Sequence, residues 1–276
     1  GDLGPGVEVG FLFLGAGLLF KLAAVPFHMW APDVYEGAPT YSATFFAVVP
    51  KLAVFALLLK IFVYALYDLL EAWQPLFLGA SFGSMVVGAF GALQQRKIKR
   101  LLAYSSIGHV GYMLLGLATG TLEGVQGLLL YLILYMVMSL NLWTLVLGME
   151  TGPGQPGLRN LTDLGGLGRS HPLSGITLAL TLFSMAGMPP LAGFCAKVYV
   201  FFSAIEGGLY LLAVVGVLSS CVGAFYYMRL IKIVFFEKVG HWTLFTPLDR
   251  EKALLLGGTT LFILFFFAYP SPLLVL

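Results

Sequence analysis

The 276 residues are 59% hydrophobic and 10% charged, with a formal net charge of +2 and a mean hydropathy of +0.93. A water-soluble domain carries about a quarter charged residues, so this chain lacks the polar surface to cover a soluble fold, and its charge gives no reason to expect nucleic-acid binding. The composition leaves an all-α, polytopic membrane helix bundle, with the lipid bilayer as solvent.

The chain opens with Gly1-Asp2-Leu3-Gly4-Pro5-Gly6, which reads as loop. No initiator Met, charged n-region or cleavage site precedes it, so upstream helices are expected. A span needs about 20 apolar residues to cross a ~30 Å core. By that measure eight spans follow, near 9–30, 43–67, 75–93, 101–119, 124–149, 173–205, 208–235 and 253–270. The longest connection, 150–172, is rich in Gly and Pro and reads as a surface loop. Cys195 and Cys221 fall inside apolar runs and form no C-x-x-C pair, which makes them small buried hydrophobes rather than a metal or disulfide framework.

Loop charge sets the orientation. Arg96, Lys97, Lys99 and Arg100 lie within seven residues, Arg159 and Arg169 lie in 150–172, and Arg229, Lys232, Lys238, Arg250 and Lys252 lie in 229–252. The positive-inside rule turns these three connections to the cytoplasm. The loops holding Asp68 and Glu71, Glu123, and Glu206 then face outward, as do both ends of the chain. Loop 31–42, with Asp33 and Glu36, falls inside despite its acidity.

Two spans are irregular. The first runs into Pro26 and Pro32. The second, 173–205, has Pro189 and Pro190 at its centre and would be about 50 Å long as one helix. Proline lacks the N–H and clashes with the preceding turn, so both helices should break at these prolines. Breaks at matching places in two halves point to inverted-repeat transport. The division expected is 1–70 as the end of a first repeat, 71–240 as a second, and 241–276 as a final helix.

Few ionisable side chains lie deep in a span. Lys21 sits before Pro26, Lys51 follows Pro50, His109 is central in 101–119, and Lys197 comes just after the second break. Burial favours the neutral amine and a nearby carboxylate favours the ammonium, so a lysine held between the two can take and release a proton. No Asp or Glu lies at comparable depth. The partner is therefore expected outside this sequence, on upstream helices or an adjacent subunit. The alternatives are a snorkelling amine, which suits Lys60 near its span end, and a structural histidine, which suits His28. Tyr131, Tyr135, Ser139 and Asn141 either line a hydrated path with His109 or join helices by hydrogen bonds. No phosphate loop, dinucleotide fingerprint or metal-ligand cluster is present, so no cofactor or metal is expected on the chain.

The run from Lys21 to Thr40, with Pro32-Asp33-Val34-Tyr35-Glu36-Gly37-Ala38-Pro39-Thr40 at its end, resembles the antiporter-like membrane subunits of respiratory complex I, the NADH–quinone oxidoreductase. Val49-Pro50-Lys51, Arg100 to His109 and Gly187 to Phe194 resemble the same family. Within it the 32–40 stretch is typical of the subunit N branch. The resemblance implies a fourteen-helix fold of two inverted five-helix repeats, of which this chain supplies the seventh to fourteenth helices. Lys21 then matches a lysine paired with a glutamate on an earlier helix, Lys51 and Lys197 match the eighth- and twelfth-helix lysines, and His109 lies between two half-channels. It further implies proton translocation in a bacterial cytoplasmic membrane beside antiporter-like subunits M and L and small subunits such as K and J. NADH, FMN, iron–sulfur clusters and quinone would then belong to partner subunits. The alternative in the same fold is a subunit of a multisubunit cation/proton antiporter.

Overall fold

The computed structural model describes residues 5–149, 159–237 and 249–268. Among these the backbone is helical almost throughout and no strand forms; one isolated bridge joins Lys97 to Asn160. The first predicted span and the loop after it become α1 (Pro5–Leu22) and α2 (Trp30–Gly37). Helix α3 (Thr40–Leu58) continues as a π-helical segment, Leu59–Ala65, and a 3-10 turn, Tyr67–Leu69. Then come α4 (Leu70–Leu93), α5 (Ile98–Ala118) and α6 (Leu122–Gly148). The connection read as plain loop carries a 3-10 turn, Leu161–Leu164, and a short helix α7 (Leu167–Ser170). The sixth predicted span is α8 (Pro172–Ala186) followed by α9 (Ala192–Glu206); α10 (Tyr210–Phe236) and α11 (Arg250–Phe265) complete the order.

Among the described residues five helices are long and apolar enough to cross a membrane: Thr40–Ala65, Tyr67–Leu93, Ile98–Ala118, Leu122–Gly148 and Tyr210–Phe236. The chain is a multi-pass membrane protein. Two of the remaining predicted spans are the broken ones, and the last is α11, whose predicted end at 270 lies outside the described residues, as do Lys238 and both termini.

Helix α5 is the axis of the bundle. It has no distinctly polar face, the pattern of a helix enclosed by others, and it is buried along nearly its whole length. Its most extensive partner is α4, which approaches closely because small residues line the seam. A Cβ on Gly88 would lie 2.4 Å from the Gly108 backbone nitrogen. Ser81 donates its hydroxyl to the Gly111 carbonyl at 2.8 Å across the same seam. On the far side, Asn141 of α6 donates to Thr259 and Thr260 of α11, each at 2.8 Å, and accepts from Thr181 of α8 at 2.9 Å. Asn141 therefore joins three helices, the second of the two roles open to it from sequence. Cys195 is half-buried and Cys221 exposed, so the expectation of burial fails for Cys221, which faces outward from α10.

Contacts at the helix ends sort the connections onto two sides. Ile98 N donates to the Arg159 carbonyl at 3.1 Å and Leu161 N to the Arg96 carbonyl at 2.8 Å, while Arg229 reaches the Leu93 carbonyl at 3.3 Å. These residues of the three cationic connections thus share one side. On the other, Gln74 donates to the Ala118 carbonyl at 2.8 Å, and a Cβ on Gly207 would touch Thr119. The acidic segment 31–42, helical rather than loop, lies with the cations: Glu36 pairs with Lys97 and, at 3.2 Å, with Arg100, which also holds Asp33 at 2.9 Å. Its acidity is answered by the neighbouring cations. The hydrogen bond from Lys97, with smaller help from Arg100, holds the Glu36 carboxyl below its ordinary value. Its contribution to stability is complete at neutral pH and is lost as pH falls through that lowered value.

Two glycines of one seam should differ. Gly88→Ala forces its Cβ into backbone and should cost about 1–3 kcal/mol, seen as a lowered Tm in detergent. In Gly108→Ala the nearest atom to the new Cβ lies 3.9 Å away, so its Tm should stay at or above the parent value.

Candidate functional site

The site begins at the two helix breaks. Backbone groups released inside a bilayer must find partners within the protein. Helix α1 closes with Ala23 in the left-handed region at φ +59°, a conformation costing a non-glycine residue about 1–3 kcal/mol. Beyond it, Val25 N donates to the Ser84 hydroxyl of α4 at 2.9 Å, and the Trp30 indole donates to the Phe20 carbonyl at 2.9 Å. Pro26 lies within this break. Pro32 does not: it occupies the first turn of α2, where a missing N–H costs nothing, so it starts a helix instead of breaking one.

At the second break α8 closes on Gly187, φ +85°, a turn suited to glycine. Pro189 and Pro190 form its exposed tip. Gly193 N donates to the Ser184 hydroxyl at 3.0 Å, and a Cβ on Gly193 would sit 1.9 Å from the Ser184 carbonyl oxygen, so the return into α9 needs glycine here.

The carbonyl end of a half-helix attracts cations, and Lys197 addresses that of α8. The Lys197 amine donates to the carbonyl of Ala186, the last residue of α8, at 2.8 Å, and to the Ser220 hydroxyl of α10 at 2.7 Å. It is 7% exposed. Lys21 stands in the last turn of α1. It is exposed, contrary to the expectation of an interior amine, because α1 lies at the edge of the described bundle, packed on α3 and α4.

Lys51 is buried in α3, and its amine donates to the Tyr135 hydroxyl at 3.0 Å. Pro50 beside it has no N–H to give the Phe46 carbonyl, and the Tyr35 hydroxyl fills that role at 3.2 Å. Lys21 and Lys51 line one cavity of about 430 Å³ that opens to the surface, walled also by Phe20, Trp30 and Tyr35.

His109, on the buried axis α5, is held at both ring nitrogens. Nδ1 meets the Tyr131 hydroxyl at 2.7 Å and Nε2 the Tyr227 hydroxyl at 3.1 Å. The Tyr227 hydroxyl also bonds Ser105, and the Tyr135 ring lies 5.2 Å from the imidazole. A small pocket of about 10 Å³ lies between His109 and Lys197, lined by Tyr112, Ser219 and Tyr226 among others. That is about the room one water needs. Tyr112 bonds Ser219 at 3.1 Å and sets its ring 5.3 Å from the Lys197 amine.

The fold thus gathers Lys51, Tyr135, His109, Tyr131 and Lys197 into one buried row, with Lys21 at the mouth of the adjoining cavity. Lys60 is exposed on the π-helical segment. His28 is buried at the first break, its Nδ1 without a hydrogen-bond partner among the described residues. Sequence reasoning missed Tyr227, Tyr112, Ser219 and Ser220. The signal was present in α10: Ser219-Ser220 and Tyr226-Tyr227 recur at seven residues, two turns apart on one helix face.

Residues 2–223 match the model of the family described as NADH:quinone oxidoreductase/Mrp antiporter, TM. The chain belongs to this family. NADH-ubiquinone oxidoreductase chain 2 of Marchantia polymorpha is 50% identical over 99% of this chain and 55% of its own length. NADH-quinone oxidoreductase subunit N of Parvibaculum lavamentivorans is 48% identical over 98% of this chain and 55% of its own length. A chain of respiratory complex I from Thermus thermophilus, solved with bound aureothin, superposes with a TM-score of 0.86 at 34% identity, covering 99% of this chain and 60% of that one. The chain therefore spans about half the length of these relatives of the family. Both the helical bundle and the complex I resemblance read from the sequence agree with these matches.

The serines that close the two breaks give a direct test. Ser184→Ala leaves Gly193 N without its acceptor and Ser84→Ala does the same to Val25 N. Each should cost about 1–3 kcal/mol, the penalty of an unsatisfied buried donor, read as a drop in Tm with helix content unchanged by circular dichroism.

Proposed function

We propose that this chain is a proton-translocating unit of the membrane arm of NADH–quinone oxidoreductase. The observation that carries the reading is the buried row from Lys51 through Tyr135, His109, Tyr131 and Tyr227 to Lys197, which ends at a helix break and begins beside a cavity at the other. A proton on Lys21 crosses the shared cavity to Lys51. Tyr135 takes it on, accepting at an oxygen lone pair while its own hydrogen moves ahead. No direct hydrogen bond links Tyr135 to His109 among the described residues, so water completes that step. His109 hands on through Tyr227 and a water in the small pocket, and Lys197 receives and releases it. When Lys197 gives up its proton, its neutral amine can still donate to the Ala186 carbonyl, but the charge that the half-helix end favours is gone.

The two broken spans support the inverted-repeat division at 1–70, 71–240 and 241–276. Helix α1 runs from the side of Leu76 toward Ser84 and α2 on to Lys97, whereas α8 starts at Gly168 and α9 ends at Thr119. They cross in opposite directions. Likeness to bacterial subunit N chains supports a bacterial cytoplasmic membrane, and loop charge turns the cationic side inward and both ends of the chain outward. In this reading antiporter-like M and L and small subunits such as K and J adjoin it, a carboxylate from outside these residues serves Lys21, and NADH, FMN, iron–sulfur clusters and quinone stay on partner subunits.

In assembled complex, Lys51→Ala or Lys197→Ala should abolish most proton pumping per quinone reduced, and Tyr227→Phe should slow it. Unimpaired pumping in both lysine variants, with assembly intact, refutes the assignment. Co-purification with antiporter subunits alone, without NADH- and quinone-binding subunits, would move the chain to the Mrp branch.

A further inference from the structure

Helix α2 has eight residues, too few to hold together in isolation, and it is joined to α1 through the break and by the Trp30 indole on the Phe20 carbonyl. Its place is fixed from two sides. On the inner side Tyr35, 2% exposed, sets its ring edge-on to Trp143 at 5.8 Å and its hydroxyl on the Phe46 carbonyl, in the wall of the Lys51 cavity. On the outer side the next residue, Glu36, pairs with Lys97 and Arg100, Arg100 also holds Asp33 at 2.9 Å, and Lys99 donates to the Ala38 carbonyl at 3.2 Å. The cations are themselves held: Lys97 forms the bridge to Asn160, and Arg100 sits at the start of the buried axis α5.

We propose that Glu36 and Asp33 are positioning residues for transport: their ion cluster with Lys97 and Arg100 holds α2 so that Tyr35 stays against Lys51. This rests on the function proposed above. Single exposed ion pairs contribute little. Here, however, two carboxylates and two cations are shared on one short segment, and loosening it moves the aromatic wall of the cavity from which Lys51 draws its proton. The cluster thereby ties the membrane surface to the first buried amine of the row. No group of the cluster touches the moving proton.

The test uses the full-length chain in assembled complex and two readouts. In Asp33→Asn with Glu36→Gln, amides of 30–37 should exchange about tenfold faster, the scale expected when charge-assisted bonds are lost from a marginal element, and pumping per quinone reduced should fall. The charge-exchanged pair Glu36→Lys with Lys97→Glu should exchange more slowly than Glu36→Lys alone and recover pumping. Unchanged exchange in the double variant overturns the tether. Faster exchange with undiminished pumping overturns the positioning role. Lys51→Ala, measured in parallel, separates the two levels: if it too pumps normally, the functional reading fails, and the role of the cluster in transport fails with it, while exchange still judges the tether itself.

Discussion

A bilayer offers no water to a backbone group released from its helix, and that constraint shapes this protein wherever its helices stop. Each interruption is closed by a specific partner. Ser84 takes the amide of Val25, Ser184 takes that of Gly193, and Tyr35 takes the carbonyl that Pro50 leaves without a donor. The closing groups come from neighbouring helices or from the far side of the break, so every gap is also a tertiary contact. The same rule places the amines. A carbonyl end exposed by a break is a ready acceptor for an ammonium, and Lys197 fills it at α8. Breaks and lysines are in this sense one feature: the first creates the electrostatic niche that makes the second tolerable at depth.

Around these gaps the bundle is arranged to keep its centre enclosed. Helix α5 is enclosed because glycines and serines let α4 come close, and enclosure fixes His109 where α6 and α10 can both reach it. Tyrosine supplies much of the polarity between the lysines. Its ring packs as a hydrophobe and its hydroxyl does the polar work, so the row from Lys51 to Lys197 runs through the core without a carboxylate among the described residues.

Much of this was legible from residue types and spacing. The membrane class followed from composition, the second break from Pro189 and Pro190, and the sharing of one side by residues of the cationic connections from their charge. Lys51, His109 and Lys197 stood out because a charged or titratable group deep in an apolar run is rare. Other features were hidden for physical reasons. Pro32 looked like a breaker because the position of a proline within its helix, which decides whether it starts or ends one, cannot be seen before the helix is placed. Lys21 looked interior because depth along a span says nothing about which way the helix faces. Tyr227 was passed over because a tyrosine in an apolar span reads as packing until its hydroxyl is seen on an imidazole. The cluster around Glu36 joins residues some sixty positions apart, beyond any local pattern.

The grip on both nitrogens of His109 carries one more consequence. A neutral imidazole has one nitrogen that gives a hydrogen and one that receives, so of Tyr131 and Tyr227 one must point its hydroxyl hydrogen toward the ring and the other away. The row is therefore polarised, like a line of arrows. If a proton passes along it as proposed, the arrows are reversed, and each hydroxyl and the imidazole tautomer must be turned back before a second proton can follow the same way. In the proton path proposed above, that resetting would be a step of its own between one passage and the next.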